Sequence, residues 1–422
     1  MRFVLACYGS RGDVEPCIAV GRELMRRGHD VRMVVPPDLV DLAESVGVSA
    51  VACGEEMKLV LDAHRNFWSS LFRSPWRIRE LIRSRRAVGE SIFRSWEEMG
   101  TTLKSLADGV DLIFTGLNFE DAASNVAEYY DLPLATLHYF PLRPNGQLLS
   151  FLPAPIGRMA MKVFWWVSWR GTKKTEDAQR RELRLPRATG PSPQRITERG
   201  SLEIQAYDEV CFPELAAEWA KWNAQRPFVG ALTLELSTNA DEEVASWIAA
   251  GKPPICFGFG SIPIESAADT LAMIAAACGQ LGERALVCAA GTDFSDAPQV
   301  EHVKVVGTVN YAAVFPTCRA VVHHGGAGTT AAGLRAGVPT LILSTDLDQS
   351  LWGLRVKRLK VGTARRFSTT TRETLIEDLR AILSPEHAAR AREIATRMNR
   401  PSDSVSAAAD LVEDFARRRC AG

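Results

Sequence analysis

One segment of this chain combines residue types that bind phosphate. Residues 321–330 read Val-Val-His-His-Gly-Gly-Ala-Gly-Thr-Thr, an apolar strand pattern followed by a glycine cluster and a helical pattern. A glycine turn at a helix start exposes backbone amides, and the partial positive charge of the helix end favours an anion there. The alternative is a tight strand-to-helix turn whose histidines find their hydrogen-bond partners inside the core. The candidate diphosphate ligands are His323, Gly325, Gly326, Ala327, Gly328 and Thr329.

Two further glycine turns follow predicted strands. Residues 9–13 read Gly-Ser-Arg-Gly-Asp, and spacing alone predicts that Asp13 caps a helix beginning at Val14. Residues 258–261 read Gly-Phe-Gly-Ser, which makes Ser261 either a plain turn serine or a phosphate ligand. No Walker lysine and no GxGxxG accompanies these turns, so a nucleoside triphosphatase and an ordinary dehydrogenase are disfavoured.

The elements that position these turns alternate between strand and helix. Residues 2–8, 31–35 and 48–52 are predicted strands with helices at 14–27 and 39–46 between them, a βαβαβ start that implies a parallel sheet. Weaker strands are predicted at 112–115 and 133–137. After a linker at about 232–241, the pattern restarts with strands near 254–258, 284–288, 303–306, 320–323 and 340–343. The fold class is therefore α/β with two doubly wound domains, at 1–227 and 228–400, followed by a C-terminal helix at 401–422 expected to pack back on the first.

Composition limits the function classes. The chain has 422 residues, 46% of them hydrophobic, and 50 basic side chains balance 50 acidic ones. A zero formal net charge argues against a general attraction to nucleic acid. Nine scattered cysteines without metal-ligand spacing indicate a reducing cytoplasm. No apolar run is long enough for a membrane span, so a cytoplasmic protein, at most peripheral on the membrane, is expected.

The ordered motifs resemble family 1 nucleotide-sugar glycosyltransferases, most closely the bacterial enzymes that glycosylate glycopeptide antibiotics and mycobacterial glycopeptidolipids. The resemblance covers nearly the whole chain and rests on residues 9–16, 258–263, 309–316, 323–329 and 348–349 in the family's order. It implies the GT-B fold: two Rossmann-like domains facing a cleft, with the acceptor held by the first domain and the nucleotide sugar mainly by the second. The base-packing tryptophan of plant relatives is missing here, which leaves the nucleotide base open.

The resemblance also implies residue roles. Asp13 matches the aspartate that removes the acceptor proton in the bacterial branch, against the alternative of a helix cap. The Asp346-Leu-Asp348 sequence resembles a DxD metal site, but this family needs no ion and no other carboxylates cluster nearby, so neither a metal nor a cofactor is expected. The other implied ligands are Ser10, Arg11, Gly12 and Ser261 for the diphosphate, Val309, Asn310 and Tyr311 for the nucleoside, and Asp348 and Gln349 for the sugar.

Candidate acceptor residues come from an aromatic stretch and one histidine. Phe164 and Trp165 lie in a segment, 155–174, that is rich in tryptophan and basic residues and could form an acceptor mouth at a membrane surface. The alternative is a buried amphipathic helix with its cations reaching solvent. His138 follows a predicted strand and either lines the acceptor site or is a core histidine.

Together these features predict an inverting glycosyltransferase. It would transfer a hexose or deoxyhexose from a UDP- or dTDP-sugar to a hydroxyl of a lipophilic or peptide-like acceptor, with domain closure completing the site. The alternatives are a sugar-nucleotide epimerase of the same architecture and a non-catalytic nucleotide-sugar-binding partner protein.

Overall fold

The computed structural model describes residues 1–57, 95–149, 152–258, 260, 266–289, 294 and 300–420. The chain divides into two compact units. Unit 1 comprises residues 1–206, 214–232 and 401–422, and unit 2 comprises residues 207–213 and 233–400. The predicted boundary after residue 227 lies slightly before the division at residue 232. The short segment 207–213 belongs to unit 2, although the residues on both sides of it in the sequence belong to unit 1.

Unit 1 is built on a six-stranded parallel sheet in the order β3-β2-β1-β4-β5-β6. The central strands are buried on both faces, which explains why they are almost continuously apolar. The strands are β1 (Arg2–Ala6), β2 (Asp30–Val35), β3 (Ser49–Ala52), β4 (Leu112–Gly116), β5 (Leu134–His138) and β6 (Leu202–Gln205).

Helices lie between the strands of unit 1. They are α1 (Arg11–Arg26), α2 (Val40–Ser45), α3 (residues 95–106), α4 (Glu120–Tyr129), α5 (Ala154–Glu182), α6 (Ser192–Glu198) and α7 (Pro213–Glu218). Although they follow unit 2 in sequence, residues Pro401–Cys420 form helix α15, which packs against α1 within unit 1. Residues 66–104, which are rich in aromatic and arginine side chains, lie outside the described residues except for 95–104, which are helical.

Unit 2 repeats the architecture with a six-stranded parallel sheet in the order β12-β11-β10-β7-β8-β9. The strands are β7 (Ile255–Gly258), β8 (Ala285–Cys288), β9 (Val303–Val306), β10 (Ala320–His323), β11 (Thr340–Ser344) and β12 (Gly362–Arg366). The helices are α8 (Asp241–Ala249), α9 (Ala267–Leu281), α10 (Tyr311–Val314), α11 (Ala327–Ala336), α12 (Leu347–Leu359), α13 (Arg372–Ile382) and α14 (Pro385–Ala395). The predicted α/β class with two doubly wound sheets is confirmed.

Candidate active site

The phosphate-binding candidate lies where β10 passes into α11. The strand ends at His323, the helix begins at Ala327, and residues 324–326 make the whole turn. Gly325 has a φ of 101°, and a Cβ atom there would lie 2.8 Å from Cγ2 of Ile342. This position therefore requires glycine, because a side chain would be both strained and in contact with the neighbouring strand.

The first turn of α11 has no side-chain cap within the described part of the chain. Gly326 is the N-cap residue, and it accepts hydrogen bonds from the amide and the hydroxyl of Thr330, at 2.9 Å and 2.8 Å. The amides of residues 327–329 have no partner further back in the helix, as in any first turn. A ten-residue helix with such an end can hold an anion on these amides.

His323 lies directly beneath this turn and is fully buried. Its Nδ1 accepts a hydrogen bond of 3.0 Å from the amide of Gly325, which places the proton of the neutral ring on Nε2. Burial, with a smaller contribution from His324, lowers the pKa of His323 to about 3, so the ring is neutral at physiological pH. Among the described residues, Nε2 finds no hydrogen-bond partner.

His324 fits between two glycines. A Cβ atom on Gly260 would lie 2.7 Å from Cε1 of the ring, and one on Gly326 would lie 2.6 Å from Nε2. Burial lowers the pKa of His324, and its Nδ1 also lacks a partner in the described ranges. His324 was not among the candidate ligands, and the structure brings both imidazoles to this turn. Ser261, the next predicted ligand, lies outside the described residues.

The predicted nucleoside segment follows β9. Val309 is buried in the core of unit 2, and Asn310 caps α10 by accepting a hydrogen bond of 3.0 Å from the amide of Ala312. The ring of Tyr311 stacks on Phe315 at 4.4 Å between ring centroids. Of the three predicted ligands, Val309 and Asn310 thus have structural roles in the described contacts, and the half-buried Tyr311 presents an aromatic ring.

The predicted sugar ligands lie at the start of α12. Asp346 is the N-cap, and Gln349 returns to it as the reciprocal residue of a capping box. The Gln349 side chain is buried, and its Oε1 accepts hydrogen bonds from the amide and hydroxyl of Thr345 at 2.8 Å and 3.0 Å. Asp348 is exposed on the first turn. No cluster of three or more potential metal-ligating side chains occurs in the described ranges, this turn included.

In unit 1 the helix start differs from the predicted one. Ser10, not Asp13, is the N-cap, and α1 begins at Arg11, so the prediction of a helix beginning at Val14 was wrong by one turn. Asp13 is the third helical residue, and its Oδ2 accepts hydrogen bonds of 2.8 Å from both the amide and the hydroxyl of Ser10. Asp13 therefore does take part in capping, the alternative considered for it, but as the third-position partner in a capping box whose N-cap is Ser10.

Asn118 and Tyr139, which lie beside Asp13, were missed by sequence reasoning. Gly9 has a φ of 132°, and a Cβ atom there would lie 2.5 Å from Oδ2 of Asp13 and 2.7 Å from Nδ2 of Asn118. The hydroxyl of Tyr139 donates a hydrogen bond to the carbonyl oxygen of Asp13. Asn118 and Tyr139 follow β4 and β5, so the carboxyl ends of three parallel strands supply the surroundings of this carboxylate.

Two of the three predicted diphosphate ligands beside Asp13 are exposed. Arg11 and Gly12 both lie at the surface, and the guanidinium of Arg11 forms an ion pair of 2.8 Å with Glu15 one turn later. Ser10 is half-buried and engaged with Asp13. An exposed pair of this kind contributes little to stability.

His138 lies in a buried network of charged groups. It is fully buried, and its Nε2 lies 2.5 Å from Oε1 of Glu120. Both oxygens of Glu120 also accept hydrogen bonds from Arg143, at 3.1 Å. Burial alone would raise the pKa of Glu120, but Arg143 and His138 outweigh it and lower the pKa to about 2. The geometry favours the core alternative for His138 over a place in the acceptor site.

The aromatic segment is part of the long helix α5. Phe164 is 60% exposed, whereas Trp165 faces inward and donates a hydrogen bond of 2.9 Å from Nε1 to the carbonyl of Leu142. The two rings meet edge to face at 5.7 Å. Within the described residues, no helix combines the length and apolar character needed to cross a membrane.

Comparisons with protein families agree with this architecture. Residues 3–98 match the glycosyltransferase family 28 N-terminal domain, and residues 284–413 match the C-terminal domain of the erythromycin biosynthesis protein CIII-like family. An uncharacterized glycosyltransferase of Mycobacterium leprae is 56% identical over 418 residues, 99% of this chain and 98% of its own length. One from Mycobacterium tuberculosis is 55% identical over 420 residues, covering 99% and 100%. A sterol 3-beta-glucosyltransferase of Arabidopsis thaliana is 26% identical over 97% of this chain and 67% of its own.

Solved structures show the same fold at low sequence identity. The glycosyltransferase of kitacinnamycin superposes with a TM-score of 0.72 at 16% identity, covering 98% of this chain and 99% of that one. The calicheamicin glycosyltransferase gives 0.70 at 16% identity, covering 99% and 98%. The glycosyltransferase VinC, solved in complex with dTDP, gives 0.62 at 18% identity, covering 99% and 100%.

Proposed function

Since the chain belongs to the GT-B glycosyltransferases of the family 1 type related to antibiotic glycosyltransferases, we propose that it is an inverting, metal-independent enzyme. It transfers a hexose or deoxyhexose from a UDP- or dTDP-sugar to a hydroxyl of a lipophilic or peptide-like acceptor. The similar structure solved with dTDP supports the donor class. The sterol glucosyltransferase among the relatives supports a lipophilic alcohol as acceptor.

The observation that carries the donor assignment is the Nε2–H of His323, which has no hydrogen-bond partner among the described residues and lies beside a helix end that none of them caps. A buried donor without an acceptor costs roughly 1–3 kcal/mol, and a diphosphate oxygen bound at this turn would satisfy it. The amides of residues 327–329 bind the same anion, and His323 contributes no charge because its ring is neutral. This arrangement stabilises the negative charge that develops on the leaving diphosphate.

The acceptor hydroxyl loses its proton to Asp13. As its oxygen bonds to the anomeric carbon, the proton passes to the carboxylate, and the bond from that carbon to the diphosphate breaks with its electron pair leaving on the nucleotide. A single displacement of this kind inverts the anomeric configuration. The two Ser10 hydrogen bonds hold Oδ2 of Asp13 in a fixed orientation. Asp348 and Gln349 at the start of α12 are proposed to bind the sugar hydroxyls, and Tyr311 the nucleoside.

A donor and acceptor panel tests this function. The purified protein is incubated in EDTA with UDP- and dTDP-hexoses and with sterol, glycopeptide or deglycosylated glycopeptidolipid acceptors, and the anomeric configuration of the product is read by NMR. Transfer with inversion is expected. Epimerised donor without transfer would identify an epimerase instead, and nucleotide binding without turnover on any acceptor would identify a binding partner protein.

A further inference from the structure

Helix α5 carries an apolar stripe that its own unit leaves exposed. Ile156, Met159, Val163, Trp166 and Val167 are 54%, 59%, 52%, 52% and 56% exposed. Their spacing of three, four, three and one residues places all five on one face of a helix. The opposite face, which includes Met161 and Glu176, is buried against unit 1. Isolated exposed apolar residues are common, but a continuous stripe with a tryptophan indicates a binding surface.

The charge of this helix indicates what the stripe binds. Residues 154–175 contain five Lys or Arg and no Asp or Glu. Two of these cations are neutralised, Arg158 by Glu218 at 2.7 Å and Lys173 by Asp177 at 3.3 Å. The other three, Lys162, Arg170 and Lys174, are exposed.

Two of the exposed cations continue the line of the stripe. Arg170 lies one helical turn beyond Trp166, with its guanidinium carbon 5.4 Å from the centre of that ring, and Lys174 lies one turn further. Apolar and aromatic side chains flanked by cations along one helix face are the pattern of helices that lie in the interface of an anionic bilayer.

We propose that α5 lies along an anionic lipid surface, with Met159, Val163, Trp166 and Val167 inserted at the acyl boundary and Lys162, Arg170 and Lys174 on the headgroups. A second copy of the chain fits this face less well, because a symmetric contact would bring the same exposed cations together. The proposal concerns binding to a membrane and does not depend on the transferred sugar or the acceptor.

Vesicle co-sedimentation tests the proposal. The full chain is mixed with vesicles of phosphatidylcholine alone or with 30% phosphatidylglycerol, and the triple variant V163S/W166S/V167S is compared with Leu354→Ser. Leu354 is a matched control because it is 45% exposed on α12 of unit 2. We expect the wild type and the control to bind the anionic vesicles and the triple variant to bind at least tenfold more weakly. Binding should also weaken with added salt.

Equal binding by the triple variant, or no binding of the wild type to anionic vesicles, would overturn the proposal. If light scattering shows that the wild type is a dimer and the triple variant a monomer, the stripe would instead be assigned to contact with a second copy. Loss of transfer to a water-soluble acceptor in the triple variant, with vesicle binding unchanged, would assign it to acceptor binding. The replaced side chains are exposed, so an unchanged circular dichroism spectrum is expected and separates these outcomes from misfolding.

Discussion

The amide of Gly325 donates a hydrogen bond to Nδ1 of His323, and this contact fixes the proton of the buried ring on Nε2. The same glycine cannot be replaced without strain, so the backbone of the turn and the protonation of the histidine depend on each other. The proposed diphosphate site rests on this pair.

Replacing His323 by alanine should weaken nucleotide binding. We expect the dissociation constant for UDP or dTDP to rise about 10- to 100-fold, the effect of losing one hydrogen bond to a charged group. Because the pKa of His323 is about 3, the ratio between wild type and variant should stay constant from pH 5 to pH 8. Isothermal titration calorimetry at three pH values measures it, with His387→Ala as control. A ratio that grows as the pH falls would show that the ring binds as a cation.

Gly325→Ala should destabilise the protein. The positive φ and the 2.8 Å approach of the added Cβ to Ile342 predict a loss of about 1–3 kcal/mol. The control is Gly171→Ala in the middle of α5, where an added Cβ meets nothing within 4 Å and should stabilise by up to about 1 kcal/mol. Denaturant unfolding of both variants measures the difference. Equal stability of the two would mean that the turn is not held as described.

Asp13→Asn should abolish most of the turnover without unfolding the protein. An asparagine oxygen still accepts the hydrogen bonds from Ser10, but it cannot take a proton, so kcat should fall about 10²- to 10⁴-fold. Nucleotide affinity should be unchanged. The exposed Asp41 provides a control, Asp41→Asn, on α2 of the same unit. Wild-type turnover in the Asp13 variant would exclude this residue as the base.

The strands were predictable where burial on both faces imposes an apolar run, as in Phe3 to Ala6 of β1. Two strands escaped prediction because they are polar. β6 reads Leu-Glu-Ile-Gln, and its buried Glu203 is compensated by Arg143, a partner 60 residues away that no local pattern reveals. β12 reads Gly-Thr-Ala-Arg-Arg at the edge of its sheet.

The local geometry of the site was only partly readable. Ser10 and Asp13 have the spacing of a capping box, and this signal, present in the sequence, would have placed the start of α1 correctly. The glycines around His324 could not be interpreted in advance. Glycine is needed at position 260 because the ring of His324, 64 residues later in the chain, lies against it. This contact exists only once β7 and β10 are paired.

The C-terminal helix should depend on Arg27, the C-cap residue that directly follows α1. Arg27 contacts Asp410 at 2.5 Å and the hydroxyl of Ser406 at 2.8 Å, and His29 contacts Glu413 at 2.6 Å beside it. Arg27→Met should destabilise unit 1 by about 1 kcal/mol, because it removes the charged hydrogen bonds to the exposed Asp410 and to Ser406. Arg26→Met is the matched control, since Arg26 is 71% exposed and pairs only with Glu23 among the described contacts. Hydrogen exchange of residues 401–420 should rise in the first variant alone.

Titration of Asp121 should make the free energy of unfolding depend on pH. Burial, followed by the nearby charges of Glu176 and Glu120, raises the pKa of this carboxyl from its ordinary value of 3.8 to about 7. Between pH 4 and pH 7 the folded state therefore holds a proton that the unfolded state has released. The stabilising contribution of the protonated Asp121 to the free energy of unfolding is lost as the pH rises through that window.

Asp121→Asn keeps an acceptor for the hydroxyl of Ser192 but removes the titration. Relative to wild type, the variant should therefore be more stable at pH 8 than at pH 4, by roughly 3–4 kcal/mol. Urea unfolding across this range, with the exposed Asp108→Asn as control, measures it. A constant difference between variant and wild type would show that Asp121 is ionised in the folded protein throughout.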